Sequence, residues 1–248
     1  MRRFLAPALA AFILSSPASA FDITSMTEEE RAAFQIEIRA YLLQNPGVIM
    51  EAVAALEETK AAQQAEADLN LVQANAPQIF DDGYSWVGGN PDGDITLVEF
   101  LDYRCGYCRR AHGEVAELLE RDGNIRLIVK EFPILGEESL LASRFAIAAK
   151  QAIGDTEYKM LNDALMTYDA EISETTLRRL SDTLGLDSNA IMTAMDSEAI
   201  TQEIMQTRAL AQRLQISGTP TFVMQDQLLR GYLPLDQMQA LVAETRTR

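Results

Sequence analysis

Cys105 and Cys108 are the only cysteines in a chain of 248 residues, and they stand three positions apart in the run Cys105-Gly106-Tyr107-Cys108. Thiols at this spacing can staple a loop, supply half of a metal site, or exchange disulfides. A staple between residues this close removes little entropy from the unfolded chain. A zinc site needs two further ligands, and the chain has no third cysteine and a single histidine, His112. Exchange is the chemistry that these residues favour. Its nucleophile is the thiolate, whose population depends on local electrostatics. Residues 95–103 read as a strand and 109–119 as a helix, so Cys105 leaves a strand and opens a helix. A sulfur there meets unpaired backbone N–H groups and the positive end of the helix dipole. Arg104, Arg109 and Arg110 add positive charge nearby. Cys108, one turn along, is placed to attack a mixed disulfide formed by Cys105.

The elements around this pair form an α/β pattern. Trp86-Val87 is a short strand in a turn-rich segment, and 125–132 is a second strong strand. Residues from about 137 to 215 are helical throughout, broken near Gly154, Ser173 and 184–189. Strand pattern returns at 221–224 and 227–230, and a last helix covers about 234–245. Glu99 shares a strand face with Ile95, Leu97 and Leu101, while Lys130 lies in the apolar run 125–132. Burying either charge alone is costly, so the two are expected to face each other. His112 falls on the cysteines' side of its helix and reads as a hydrogen-bonded packing residue. Met192, Met195 and Met205 read as core or groove lining rather than metal ligands.

Upstream, Thr27 and Glu30 make a capping box for a helix with Phe34, Ile38, Tyr41 and Leu42 on one face. Asn45-Pro46 ends it and starts a long helix to about residue 75, with Ile49, Val53 and Leu56 as a narrow apolar stripe. Such a stripe either docks on its own domain or pairs with copies of itself. Residues 1–20 carry Arg2 and Arg3, an apolar run from Phe4 to Leu14 and Ala18-Ser19-Ala20, the layout of a cleaved secretory signal peptide. That apolar run is too short to span a membrane, so export without membrane insertion is expected. A net charge of −16 opposes binding to nucleic acid or anionic lipid. Exported chains sit where disulfides persist.

The stretch Val98-Glu99-Phe100-Leu101-Asp102-Tyr103-Arg104-Cys105-Gly106-Tyr107-Cys108 resembles the active-site strand and helix of the DsbA-like branch of the thioredoxin superfamily. The resemblance covers roughly residues 84–245, with the lead-in Asn90-Pro91-Asp92-Gly93-Asp94, the helical insertion and Gly218-Thr219-Pro220-Thr221. It implies a thioredoxin fold with an inserted helical subdomain at about 137–215, occupying residues 79–248. Ahead of it, residues 21–78 form an N-terminal helical extension, which the resemblance reads as an oligomerisation stalk. The run Tyr41-Leu42-Leu43-Gln44-Asn45-Pro46 is similar to extensions of exported ScsC-like and Com1-like members, some of which use them to oligomerise.

The resemblance implies periplasmic thiol–disulfide exchange with exported proteins, recycling by a membrane redox partner, and no cofactor or metal. Cys105 and Cys108 would carry the chemistry, and Glu99 and Lys130 would assist proton transfer beneath them. Thr219 and a cis Pro220, with Gly106 and Tyr107, would form the platform for an extended substrate. Gly106-Tyr107 lacks the histidine that strengthens an oxidant, which points to a milder disulfide. With Thr219 it resembles isomerases more than the strong oxidase, leaving oxidation and isomerisation both open. A different class, a holdase or copper(I)-binding module using the same thiolates, stays in view.

Overall fold

The computed structural model describes residues 23–247. The expected signal peptide at 1–20 lies outside the described residues. The chain divides into two compact units, one ending at Thr59 and one from Lys60 onward. In the first, a 3-10 turn at Ile23–Ser25 precedes helix α1 (Glu28–Gln44), followed by the start of helix α2 (Gly47–Ala74). The capping box is formed: the Thr27 hydroxyl accepts the Glu30 N–H, and the Glu30 carboxylate accepts the Thr27 N–H at 2.9 Å. Ile49, Val53 and Leu56 are exposed.

The second unit is built on a sheet. Helix α3 (Ala76–Phe80), strands β1 (Trp86–Gly89) and β2 (Ile95–Leu101), helix α4 (Gly106–Asp122) and strand β3 (Ile125–Glu131) follow the end of α2. Helices α5 (Glu137–Ile153), α6 (Asp155–Thr167), α7 (Glu174–Thr183), α8 (Ser188–Ala194) and α9 (Glu198–Arg213) form the insertion. Strands β4 (Thr221–Met224) and β5 (Gln227–Arg230) and helix α10 (Leu235–Thr245) close the unit. Among the described residues the five strands form one sheet in the order β1-β3-β2-β4-β5. Strands β2 and β3 are parallel and the other neighbours antiparallel. The thioredoxin-type sheet and the helical insertion are those expected.

Alternation along the strands sorts side chains onto two cores. Leu97, Leu101, Leu127, Val129 and Phe222 pack with α4 and the inserted helices, around Val115, Phe145, Leu161 and Leu177. Val98, Phe100, Ile128 and Val223 point the other way, against Val72, Ile79, Leu210 and Leu214. Val72 from α2 is thus part of the sheet's own core, and Asp68 forms an ion pair with Arg230 of β5. Within the second unit, the last turns of α2 cover one sheet face.

Candidate active site

Strand β2 delivers the chain to Cys105, which stands at the N-cap of α4 in extended conformation (φ −79°, ψ 115°). The turn is held by Asp102, a fully buried residue. Its carboxylate accepts the N–H groups of Arg104, Ile134 and Leu135 at 2.8–3.0 Å and the Ser139 hydroxyl at 2.7 Å. Four donors on one carboxylate tie the strand-to-helix turn to the segment leading into α5. Sequence reasoning missed this anchor, since an aspartate at the end of a strand reads as an ordinary turn residue.

The two cysteines are not bonded to each other, and they occupy unequal environments. The Cys105 thiol donates to the Thr219 carbonyl at 3.1 Å. As a thiolate it would accept hydrogen bonds from the Cys108 thiol, the Thr219 side chain and the N–H groups of Cys108 and Tyr107. These outweigh its burial and bring its pKa down to about 5. Cys108 is fully buried, with the Asp102 N–H at 3.5 Å. Donation to Cys105, burial and the charge of Glu99 all push the Cys108 thiol strongly upward. The two sulfurs are thus pushed in opposite directions, Cys105 towards the thiolate and Cys108 towards the thiol. The flanking arginines are each engaged by other groups. Arg104 pairs with Glu138 at 3.3 Å, Arg109 pairs with Asp169 at 2.7 Å, and Arg110 lies over the Tyr232 ring.

Gly106 opens α4, with nothing near the place a side chain would occupy. Tyr107 is 62% exposed, its ring 6.1 Å from that of Tyr232. The Thr219–Pro220 peptide bond is cis, as the resemblance implied, and the Pro220 carbonyl accepts the Gly231 N–H at 3.0 Å. Cys105, Gly106, Tyr107, Thr219 and Pro220 are thus gathered beyond the end of β2 and the start of β4, inside the sheet order.

The expected facing of Glu99 and Lys130 is not found. In the parallel β2–β3 register Glu99 lies beside Val129, and Phe100 beside Lys130. Adjacent residues of a strand point to opposite faces, so Glu99 and Lys130 are on opposite sides of the sheet. Lys130 Nζ donates instead to Asp82 Oδ2 at 2.5 Å and to the Ser85 hydroxyl at 3.2 Å. Burial works against both charges; Lys130 and Ser85 nevertheless hold the Asp82 carboxyl below its ordinary range.

The charged residue of β3 that shares Glu99's side is Glu131. It is buried and accepts the hydroxyls of Tyr103, Tyr158 and Ser143 at 2.6, 2.8 and 2.7 Å. Burial raises its pKa to about 7 despite those donors. Among the described residues, no cation pairs with Glu99. Burial, then repulsion from Glu131 and Cys105, raises its pKa to about 8. His112 Nε2 lies 2.8 Å from Asp163 Oδ1.

A family model for the DSBA-like thioredoxin domain matches residues 96–243, and one for the copper resistance protein ScsC N-terminal domain matches residues 30–63. A thioredoxin-like oxidoreductase from Silicibacter pomeroyi DSS-3 is 41% identical. It covers 69% of this chain and 98% of its own, with a TM-score of 0.65. The thiol-disulfide exchange protein alpha-DsbA2 of Wolbachia pipientis is 28% identical, covering 73% of this chain and 96% of its own, with a TM-score of 0.68. Among curated relatives, a Na(+)/H(+) antiporter NhaA of Salinispora tropica is 27% identical over 156 residues, covering 63% of this chain. The chain spans about a quarter of the length of this antiporter and of the other NhaA antiporters first among its curated relatives. No helix among the described residues is long and apolar enough to cross a membrane.

Proposed function

The chain belongs to the DSBA-like thioredoxin domain family, and from that premise we propose that it is a thiol–disulfide oxidoreductase working through Cys105 and Cys108. The observation that carries this reading is the asymmetry of the two sulfurs. One is exposed to hydrogen-bond donors at a helix start and tends to thiolate; the other is buried, protonated and one turn away. Cys105 attacks or is attacked, and Cys108 resolves the mixed disulfide. The Thr219 backbone beside Cys105 supports a role for Thr219 and Pro220 in aligning an extended client, with Gly106 leaving room and Tyr107 offering an aromatic face. Glu99 serves as the acid–base group beneath the sulfurs. Lys130 stabilises the far face of the sheet and has no part in the exchange.

Clients are exported proteins with thiols or disulfides, the compartment is the periplasm, and a membrane redox partner recycles Cys105. The basic-apolar-small pattern of residues 1–20 supports export. The exposed side chains of Ile49, Val53 and Leu56, with the ScsC N-terminal match, support self-association of an extension that ends near Thr59. Isomerisation is favoured over strong oxidation by Gly106-Tyr107 and Thr219.

Insulin reduction and refolding of a scrambled disulfide protein test the assignment together. Activity in the wild type, lost in Cys105→Ser, is the expected result. An inactive wild type that binds copper(I) tightly would instead select the metal-handling reading.

A further inference from the structure

The exchange proposed for Cys105 and Cys108, on which this inference rests, requires protons to move through a closed interior. When a client thiolate attacks Cys105 Sγ of the oxidised protein, the client–Cys105 bond forms and the Cys105–Cys108 bond breaks. The electron pair leaves on Cys108. That sulfur is fully buried and strongly favours the thiol, so it takes a proton from Glu99. A carboxylate is then left buried with no cation paired to it among the described residues, which is costly until a proton returns. In the opposite direction Cys108 attacks Cys105 Sγ of the mixed disulfide, gives its proton to the Glu99 carboxylate and releases the client thiolate. Both directions need a route between Glu99 and solvent.

A cavity of about 30 Å³ runs beside Glu99, and its wall includes Trp86, Val129, Asn162, Lys159 and His112. That volume admits about two water molecules, each needing roughly 10–15 Å³. Glu99 is 2% exposed, and its Oε1 is buried with no hydrogen-bond partner among the described residues. The side chains of His112 and Lys159 are 20% and 39% exposed. Asp163 links them, accepting Lys159 Nζ at 2.6 Å and lying 2.8 Å from His112 Nε2. One cavity thus touches both the buried acid and a solvent-reaching cluster.

We infer that His112 is a proton relay: water in this cavity connects Glu99 to the imidazole, which exchanges protons with solvent beside Asp163 and Lys159. Glu99 is faced by Glu131 from β3 and by Cys105 and Cys108 at the start of α4. His112 is faced by Asp163 and Lys159 from α6. Imidazole suits the task because both ring nitrogens can exchange protons.

The test uses the full chain with His112→Ala, a substitution that helix α4 tolerates well. Opening of the Cys105–Cys108 disulfide by a client thiol is followed by the fluorescence of Trp86 in the cavity wall, across the neutral pH range. The expected rate near neutral pH is about tenfold below wild type, a fraction of the usual general acid–base contribution. Free imidazole should restore it, with no effect on the wild type and no change in the alkylation profile of Cys105. Infrared measurement of hydrogen–deuterium exchange at the Glu99 carboxyl, assigned with Glu99→Gln, should show slower exchange in His112→Ala. An unchanged rate at every pH overturns the relay, as does a slowed rate that imidazole leaves untouched while deuterium exchange stays at the wild-type value. If His112→Ala does not fold, Asp163→Asn carries the same two measurements. A wild type that performs no disulfide exchange, yet shows His112-dependent deuterium exchange at Glu99, sinks the proposed function and leaves the relay standing.

Discussion

The two faces of the central sheet treat buried charge in opposite ways. On the face away from α4, Lys130 is fully enclosed and answered by Asp82, with Ser85 as a further partner. On the face beneath the cysteines, Glu99 and Glu131 share the interior with hydroxyls and, among the described residues, pair with no cation; both are pushed towards the neutral acid. The same parallel pair of strands supplies both arrangements, and a shift of one residue separates them. A counterion holds a charge in place, whereas a proton can come and go. The first arrangement suits structure and the second suits chemistry.

The comparison breaks most visibly at Lys130. Lys130→Met leaves Asp82 buried without its partner and should cost about 3–5 kcal/mol in urea unfolding. Lys130→Met with Asp82→Leu should recover most of that loss, and a single-variant cost within error would show that the ion pair does not secure this face. Because the folded Asp82 carboxyl lies below its ordinary range, its contribution is present at neutral pH. It fades as the pH falls below about 4, through the folded value.

Glu99 should give the opposite sign. Its folded pKa near 8 lies above the ordinary carboxylate value, so stability is complete below about pH 4.5 and declines as the pH rises through 8. Glu99→Gln should therefore stabilise the fold by ~3 kcal/mol at mildly alkaline pH while slowing disulfide exchange by about a hundredfold. A variant that is both less stable and fully active would refute that assignment. Thiol reactivity provides a third comparison: at pH 7 Cys105 should alkylate at least about a hundredfold faster than Cys108, read by mass spectrometry of the reduced protein. The smallest effect is expected from Thr219→Val, which removes one donor and should raise the Cys105 pKa by about one unit in a thiolate absorbance titration.

Much of this was legible in the sequence, and the failures have a common cause. The position of Cys105 between strand and helix followed from local pattern, as did the insertion and the capping of α1. The facing of Glu99 and Lys130 did not, because it depends on register. Alternation alone places Lys130 and Glu131 on opposite sides of β3, but which of them joins Glu99 is decided by Ile95 lying beside Ile125. Both strands are buried on both faces, so no polar side marked the answer. Asp82 escaped for a related reason, lying in a stretch whose Gly, Asp and Asn content reads as turns. Helix α3 is only five residues long and carries Pro77, too little for a periodic signal.

The neighbourhood of Glu99 couples electrochemistry to acidity. Negative charge on Cys105 tightens the hold of Glu99 on its proton, and joining the two sulfurs would erase that charge. The oxidised chain would then grip the proton less firmly than the reduced one, so each reduction would draw in part of an extra proton near pH 8. The midpoint potential would fall more steeply with rising pH than the sulfurs alone dictate, and an acidifying compartment would bias the chain towards its dithiol form.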